Sequence, residues 1–286
     1  MGLEYGFRVL MFPFAYLGFS YNWFVTLLVS FSSVLIIKTL RLYQGNCSFI
    51  ISCYALMTFA YDVFQIRFLL AYSIVFWGFR YILIEQKKDI KKYILCVLLA
   101  CVFHVSSVFY FLYLLLPRNI VKYYKIIVFG IILLFVSAYL EYGNILTLMA
   151  AIIPARKLVS YASYSVEISI FTAAFVAILV LIMIYISKKI YQNNSNYQTR
   201  NALLLNCTCL LLIPIVPLTL EFERLLRPIL LVDYSLMSTN SNFKSKLMMY
   251  AFCLLMVLVS FARVFVIKDL ALDVIEYNYF MDFIFS

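Results

Sequence analysis

Long runs of apolar residues dominate this chain and constrain its fold more than any other feature. Of its 286 residues, 66% are hydrophobic and only 13% carry a charge. Because a helix needs about 20 consecutive apolar residues to cross a bilayer, this chain has room for many crossings and almost none for a soluble domain. The sequence therefore predicts an all-α, multi-pass transmembrane helical bundle that forms one integral membrane domain over residues 1–286, and it excludes a separate soluble catalytic domain.

About eight crossings fit along the chain. The apolar stretches expected to span the membrane are residues 21–39, 47–61, 66–84, 93–116, 126–140, 168–186, 202–220 and 247–267. Polar loops are expected near residues 85–92, 141–167, 187–200 and 221–246. The stretch 187–200 has the composition of a solvated connection that only joins two helices.

The distribution of lysine and arginine bears on the membrane orientation, since these residues collect on the cytoplasmic side. The Lys-rich loop 85–92 and the polar loop 187–200 both look cytoplasmic, yet three expected crossings lie between them. An odd number of crossings cannot join two loops on one side, so either one crossing is miscounted or one apolar segment is re-entrant. The candidate is Gly143–Pro154, which is too short to span.

The basic excess points to anionic partners. The chain has 23 lysines and arginines against 13 carboxylates, a net charge of +10, which suits lipid headgroups or an anionic substrate. Nucleic acid is a poor candidate partner, because the basic residues are scattered between apolar runs instead of forming one soluble face. A single histidine and unclustered carboxylates form no metal-ligand set, so neither a metal nor another cofactor is expected.

Polar side chains inside apolar stretches are the candidate functional residues, because a buried charge costs about 2.5–3.5 kcal/mol on membrane-insertion scales. The first group is Asp62, Gln65 and Arg67; Asp62 and Gln65 are three residues apart and share a helix face. One interpretation is a short loop in which Asp62 pairs with Arg67. The other is a polar site within the bilayer.

The only histidine, His104, lies in the middle of the expected crossing 93–116. It is either a packing residue hydrogen-bonded to Ser107 or a group that accepts a proton near neutral pH. If the two expected crossings on either side of the loop 85–92 form an antiparallel hairpin centred near Asp89, His104 lies opposite residue 74. That register separates it from Arg67 by about 10 Å in depth, so both side chains would line one cavity without touching.

A late cluster of charges contains Arg224 and Arg227, which are three residues apart and fall on one helix face. Two guanidinium groups so placed suit the binding of a diphosphate. The alternative is an interfacial charge cluster in which Glu221 pairs with Arg224. Arg156, which follows the apolar piece Gly143–Pro154, is a further candidate for binding an anion.

Several of these segments resemble one known family. Tyr61-Asp-Val-Phe-Gln-Ile-Arg67, a Lys-rich connection and Phe103-His-Val-Ser-Ser107 are similar to motifs of the EpsG/Wzy family of membrane polymerases that build O-antigen and capsular polysaccharide. Weaker similarity covers Glu4–Arg8, Ser20–Trp23 and Glu223–Leu225. The resemblance favours a GT-C-like architecture. Because family members usually carry one or two crossings before the Glu4–Arg8 segment, we expect this chain to lack them.

The resemblance also implies a reaction and its partners. Such polymerases are glycosyltransferases that move a glycan from an undecaprenyl diphosphate carrier to a lipid-linked repeat unit, on the periplasmic or outer face of the bacterial cytoplasmic membrane, without a cofactor. The pathway's flippase and chain-length regulator are the implied protein partners. The implied site residues are His104 as base, Asp62 as its alternative or orienting group, and Arg67, Arg224, Arg227, Gln65 and Arg156 on the diphosphate.

The main alternative is a lipid-linked oligosaccharide flippase or another multi-pass transporter, which would also need a basic cavity at the midplane. The sequence shows neither the paired half-helices nor the repeat symmetry typical of such transporters. A membrane acyltransferase that uses His104, a ligase with the same lipid diphosphate donor, and a purely structural subunit are the remaining alternatives.

Overall fold

The structure, a computed structural model, describes residues 5–43, 46–55, 65–84, 89–116, 170–214 and 224–239, with residues 130, 250, 251 and 254. Every regular element in these ranges is helical, which confirms the all-α prediction. The α-helices are α1 (Tyr5–Tyr16), α2 (Tyr21–Leu42), α3 (Cys47–Tyr54), α4 (Ile66–Leu83), α5 (Ile90–Phe103), α6 (Leu112–Leu115), α7 (Ile170–Asn193), α8 (Tyr197–Thr208) and α9 (Arg227–Thr239). The 3₁₀-helices Val105–Phe111 and Cys209–Leu212 follow α5 and α8.

Three helices in the described part of the chain are long and apolar enough to cross a membrane: Tyr21–Leu42, Ile66–Leu83 and Val176–Asn193. In length and composition they match the crossings expected at 21–39 and 66–84 and most of the one expected at 168–186. The crossings expected at 126–140 and 247–267, the loop 141–167 and the candidate Gly143–Pro154 lie almost wholly outside the described residues. The total of about eight crossings and the GT-C-like architecture therefore stay predictions.

The chain divides into two compact units: residues 1–80, 95–107 and 234–286 form unit 1, and residues 81–94 and 108–233 form unit 2. In unit 1, α1 and α2 form a hairpin. The Phe24 ring packs against the rings of Phe7 and Phe14, with centroids 5.3 and 5.1 Å apart. Gly18 closes the turn with a φ of +76°, a conformation that side-chain-bearing residues rarely adopt.

Helix α4 is the most deeply buried of the three candidate spans, since 83% of its residues are inside the protein. In unit 1 the ring of Phe76 stacks on that of Tyr43 at 6.0 Å. One turn earlier on α4, the hydroxyl of Tyr72 is hydrogen-bonded to that of Tyr54 on α3. Helix α4 therefore contacts protein on most of its circumference, which suits a helix that carries a site better than one that faces lipid.

The prediction that residues 93–116 cross the membrane as one helix is wrong. The hydroxyl of Tyr93 donates to the carbonyl oxygen of Tyr110 at 2.6 Å, and its ring lies 5.9 Å from that of Tyr113. A straight helix would separate the Cα atoms of residues 93 and 110 by about 25 Å, so the chain folds back between them. The segment is a re-entrant hairpin in which α5 enters and the 3₁₀-helix and α6 return.

The prediction of a solvated loop at 187–200 is also wrong. Helix α7 continues to Asn193 and α8 begins at Tyr197, so the connection is a turn at residues 194–196. Asn196 and Thr199 form a capping box, in which each side chain accepts a hydrogen bond from the backbone N–H of the other. This reciprocal cap starts α8 earlier than the hydropathy of the segment indicated.

The polar loop expected at 221–246 contains a helix, α9, at Arg227–Thr239. Pro228 stands in its first turn, where a missing N–H costs no hydrogen bond. Leu230, Leu231 and Val232 are buried. The charges that precede α9 led the sequence interpretation to a loop, but burial of the apolar residues that follow them stabilises a packed helix.

Contacts in unit 2 set the end of α4 beside the start of α5 and the start of α8. The Asn201 amide at the start of α8 donates to the carbonyl oxygen of Ile82 at the end of α4, at 2.9 Å. The Lys92 ammonium in the first turn of α5 lies 5.6 Å from the centre of the Tyr81 ring. The α4–α5 connection and the turn 194–196 are therefore at one level. With 93–116 folded back, two expected crossings, 126–140 and 168–186, remain between residues 85–92 and the turn 194–196, and an even number is what two connections on one side require.

Candidate functional site

The start of α4 positions Gln65 and Arg67 in unit 1. The backbone carbonyl of Gln65 accepts hydrogen bonds from the N–H groups of Phe68 and Leu69, at 2.8 and 3.0 Å. Gln65 is thus the residue at which the helix begins, and the half-buried Arg67 lies in its first turn. Since the N-terminus of a helix carries a partial positive charge, the guanidinium and the helix end both favour an anion here.

His104 stands at the break between α5 and the 3₁₀-helix. Its N–H still donates to Ala100 in the α-helical pattern, while its carbonyl accepts from the N–H of Ser107, three residues on. The residues that follow, Val-Ser-Ser-Val, combine β-branched and hydroxyl side chains that are poor helix formers. The sequence therefore ends α5 here, and the half-buried imidazole lies at the turn of the re-entrant hairpin.

A ring contact brings the two parts of the site together in unit 1. The imidazole of His104 packs edge-to-face against the ring of Phe68, with centroids 5.4 Å apart and planes at 79°. Phe68 directly follows Arg67, so His104 lies beside the first turn of α4. The predicted register, which set His104 opposite residue 74, is wrong because His104 contacts Phe68, six residues earlier on α4.

Aromatic packing holds this arrangement in place. The Phe68 ring contacts that of Tyr72 at 5.4 Å, and the Tyr72 hydroxyl is hydrogen-bonded to Tyr54. A row of rings therefore runs from α3 through α4 to His104. Such edge contacts restrict ring rotation, so the imidazole has a defined orientation.

Several buried polar atoms, at the start of α4 and directly after His104, have no hydrogen-bond partner within the described part of the chain. They are Oε1 of Gln65 and the hydroxyls of Ser106 and Ser107. The expected side-chain hydrogen bond from Ser107 to His104 is therefore not formed, and Ser107 contacts His104 through its backbone N–H. Buried polar groups of this kind are usually satisfied by a ligand or water, and a hydroxyl-rich ligand has the matching donors and acceptors.

The second arginine pair lies in unit 2. Arg224 begins a single 3₁₀ turn at residues 224–226, and Arg227 is the first residue of α9. Residues three apart are nearly eclipsed in a 3₁₀ turn, which agrees with the expected common face. The hydroxyl of Tyr110 donates to the carbonyl of Leu225 at 3.0 Å and holds this turn in place.

Two predicted site residues, Asp62 and Arg156, lie outside the described residues, as does Glu221. Among the residues that the structure describes, no group of three His, Cys, Asp or Glu side chains is arranged to hold a metal ion. The structure thus sets His104 against Phe68 in the first turn of α4, which also bears Arg67, and it sets Arg224 and Arg227 in unit 2.

Sequence reasoning missed a buried polar cluster in unit 2. Ser187 on α7, Asn206 on α8 and Asp233 on α9 are hydrogen-bonded to one another and almost fully buried. A signal for it was present: Asp233 follows Leu-Leu-Val, and a carboxylate inside an apolar run requires a partner. It was overlooked because residues 221–246 were interpreted as a polar loop.

Comparison with known proteins agrees with the motifs around His104. The family model described as the EpsG family matches residues 1–279, which is nearly the whole chain. No curated protein and no solved structure matches it. The family match therefore confirms the resemblance that the sequence motifs indicated.

Proposed function

Because the chain belongs to the EpsG family, whose membership indicates a membrane protein of polysaccharide biosynthesis, we propose that it is the polymerase of that process. In this proposal it transfers a glycan from undecaprenyl diphosphate to a lipid-linked repeat unit on the outer face of the cytoplasmic membrane. The observation that carries the proposal is the packing of His104 against Phe68, which sets a proton acceptor beside a helix start that bears Arg67.

The reaction needs a place for the charge that develops on the departing diphosphate. The acceptor hydroxyl oxygen forms a bond to the anomeric carbon of the donor glycan, and the bond from that carbon to the diphosphate oxygen breaks. The electron pair leaves with undecaprenyl diphosphate. Arg67 and the N-terminus of α4 are suited to stabilise this charge, because fixed donors aimed at a developing anion lower the barrier most.

The acceptor hydroxyl must also lose its proton, and His104 is the proposed base. An imidazole accepts protons near neutral pH, and the aromatic row orients this one towards a fixed position. The unpartnered oxygens of Gln65, Ser106 and Ser107 are suited to bind sugar hydroxyls nearby. The proton that His104 accepts passes afterwards to solvent.

The remaining candidate residues have proposed roles that follow the family resemblance. Arg224 and Arg227 are proposed to bind a diphosphate bidentately, and Arg156 is proposed as an additional cation. Asp62 is proposed to orient neighbouring groups or to replace His104 as base.

The proposed outer-face location is supported by the charge distribution. The end of α4, the start of α5 and the turn 194–196 lie at one level, and the described basic residues in and near these segments are Lys91, Lys92, Lys188, Lys189 and Arg200. This excess marks the cytoplasmic side. Because α4 spans the membrane, its other end, with Gln65 and Arg67, is directed to the outer side.

Labelling of single cysteines tests this orientation. In a variant without native cysteines, Ser195→Cys at an exposed position of the turn 194–196 should react with a membrane-impermeant maleimide only after the membrane is permeabilised. Phe19→Cys lies in the exposed α1–α2 turn, directly before the start of α2, and is the companion position for comparing labelling from the two sides of the membrane. Labelling of Ser195→Cys in intact cells would reverse the orientation and remove the support for an outer-face reaction.

Deletion of the gene separates polymerase from flippase. A strain without the polymerase should retain surface material that carries a single repeat unit and lose all longer chains, because export continues while extension stops. A strain without a flippase should lose the single-unit material as well. Gel electrophoresis of surface polysaccharide distinguishes the two patterns, and loss of the single-unit band would show that the proposed function is wrong.

A further inference from the structure

Three helices of unit 2 meet at a buried polar cluster that the proposed reaction does not use. The hydroxyl of Ser187 on α7 donates to Oδ1 of Asp233 on α9 at 3.0 Å. The amide nitrogen of Asn206 on α8 contacts the same Oδ1 at 2.7 Å and the Ser187 hydroxyl at 2.6 Å. The exposed fractions of Ser187, Asn206 and Asp233 are 1%, 0% and 1%.

The cluster is one hydrogen-bond donor short. The hydroxyl hydrogen of Ser187 and the amide hydrogens of Asn206 are all directed to acceptors, including the Ala202 carbonyl at 3.2 Å. Within the described part of the chain, Oδ2 of Asp233 and Oδ1 of Asn206 have no hydrogen-bond partner. Both orphan atoms are oxygens, so a single additional proton on the carboxyl supplies the missing donor.

Charge leads to the same conclusion. In the part of the chain that the structure describes, Asp233 forms hydrogen bonds to neutral groups and no ion pair with a lysine or arginine. A buried carboxylate without a cation costs several kcal/mol, whereas a protonated carboxyl costs far less. Burial raises the pKa of Asp233 to about 7.

We propose that Asp233 is a proton-binding site, at which a protonated carboxyl donates to Oδ1 of Asn206 and so holds α7, α8 and α9 together. A bound monovalent cation would need more oxygen ligands than these two orphan atoms provide. The proposal concerns the internal structure of unit 2 and is independent of the glycan-transfer reaction.

The proton makes the stability of the protein dependent on pH. An acid whose pKa is higher in the folded than in the unfolded protein stabilises the fold at low pH, and this stabilisation is lost as the pH rises through the folded-state value of about 7. The other titratable groups identified near the cluster are the thiols of Cys207 and Cys209, both of which are buried. Thiols in apolar surroundings keep their protons at neutral pH, so neither exchanges protons in this range.

Infrared spectroscopy tests the proton directly on the purified full-length protein in detergent. At pH 6 the wild-type protein should show the C=O stretching band of a protonated carboxylic acid, and Asp233→Asn should lack it. Asp89→Asn is the matched control, because Asp89 is paired with Lys92 at 2.8 Å and that pair lowers the pKa of its carboxyl. The band should persist in this control. A wild-type protein without the band, or an unchanged band in Asp233→Asn, would overturn the proposal.

Thermal unfolding between pH 5 and pH 9 supplies a second, independent measurement. The melting temperature of the wild-type protein should fall by roughly 5–10 °C between pH 5 and pH 7 and change little above pH 7. Asp233→Asn, which keeps a donor in place of the acid, should remove this step. The step should be the same in sodium and in choline chloride. A rise in melting temperature caused by sodium at high pH would show a cation site instead, and parallel pH profiles for both proteins would also contradict the proposal.

Discussion

Cells that carry His104→Ala or Arg67→Ala in place of the wild-type gene should make no long polysaccharide chains while keeping the single-unit product. Loss of a general base typically slows a reaction by about 100-fold to 10,000-fold, and loss of a group that stabilises the leaving anion by about 100-fold to 1,000-fold. A long chain needs many successive transfers, so a slower transfer step is compounded over the length of the chain. The gel pattern should therefore be that of a deletion strain.

Matched controls are available close to both residues. Arg80→Ala removes the same charge from the other end of α4, where Arg80 stacks 4.1 Å above the Trp77 ring. Val105→Ala alters the exposed neighbour of His104. Both controls should give wild-type chain lengths, and all variants are compared at equal amounts in the membrane. Normal chain lengths in His104→Ala and Arg67→Ala would reduce these residues to packing roles.

The conservative variants distinguish chemistry from packing. His104→Gln keeps a polar side chain of similar reach but cannot act as a base, so it should be as defective as His104→Ala. Arg67→Lys keeps the charge but loses bidentate geometry, so partial activity is expected. Full activity in His104→Gln would assign His104 to hydrogen bonding instead of proton transfer.

Gly6→Ala should destabilise the protein by forcing α1 away from α5. A Cβ atom on Gly6 of α1 would meet the side chain of Val102 on α5 and would lie 2.7 Å from its carbonyl oxygen. The backbone of a helix cannot shift cheaply, so the two helices must separate. Overpacking of this kind costs about 1–3 kcal/mol, and α5 leads directly to His104.

Thermal unfolding of the purified variants measures this effect. Val102→Ala combined with Gly6→Ala should restore only part of the stability, because it relieves the side-chain clash and leaves the clash with the carbonyl oxygen. Ala15→Leu adds more volume at an exposed position of α1 and should have little effect. Equal melting temperatures for Gly6→Ala and the wild-type protein would show that α1 and α5 do not pack this closely.

The motifs around the site were readable in the sequence because each is local. Gln65, Arg67 and His104 stood out as polar groups in apolar stretches, and the family match agrees with the motifs that contain them. Their register was not predictable. The hairpin centre was estimated from the middle of a loop, and such an estimate misses by several residues. The residue predicted to face His104 was therefore six positions from Phe68, which is about 9 Å along a helix.

Hydropathy along the chain was enough to assign the class of protein, because membrane insertion depends on the hydropathy of consecutive residues and that quantity is local. It also determined helices such as α2 and α4, whose apolar lengths match the bilayer. The tertiary structure alone decided that the chain reverses at His104, because that reversal is recorded by a hydrogen bond between Tyr93 and Tyr110. It alone decided that Asp233 is buried with Ser187 and Asn206, since these residues lie on three separate helices. Hydropathy sums neighbours along the chain, whereas hydrogen bonds and packing join residues that are neighbours only in space.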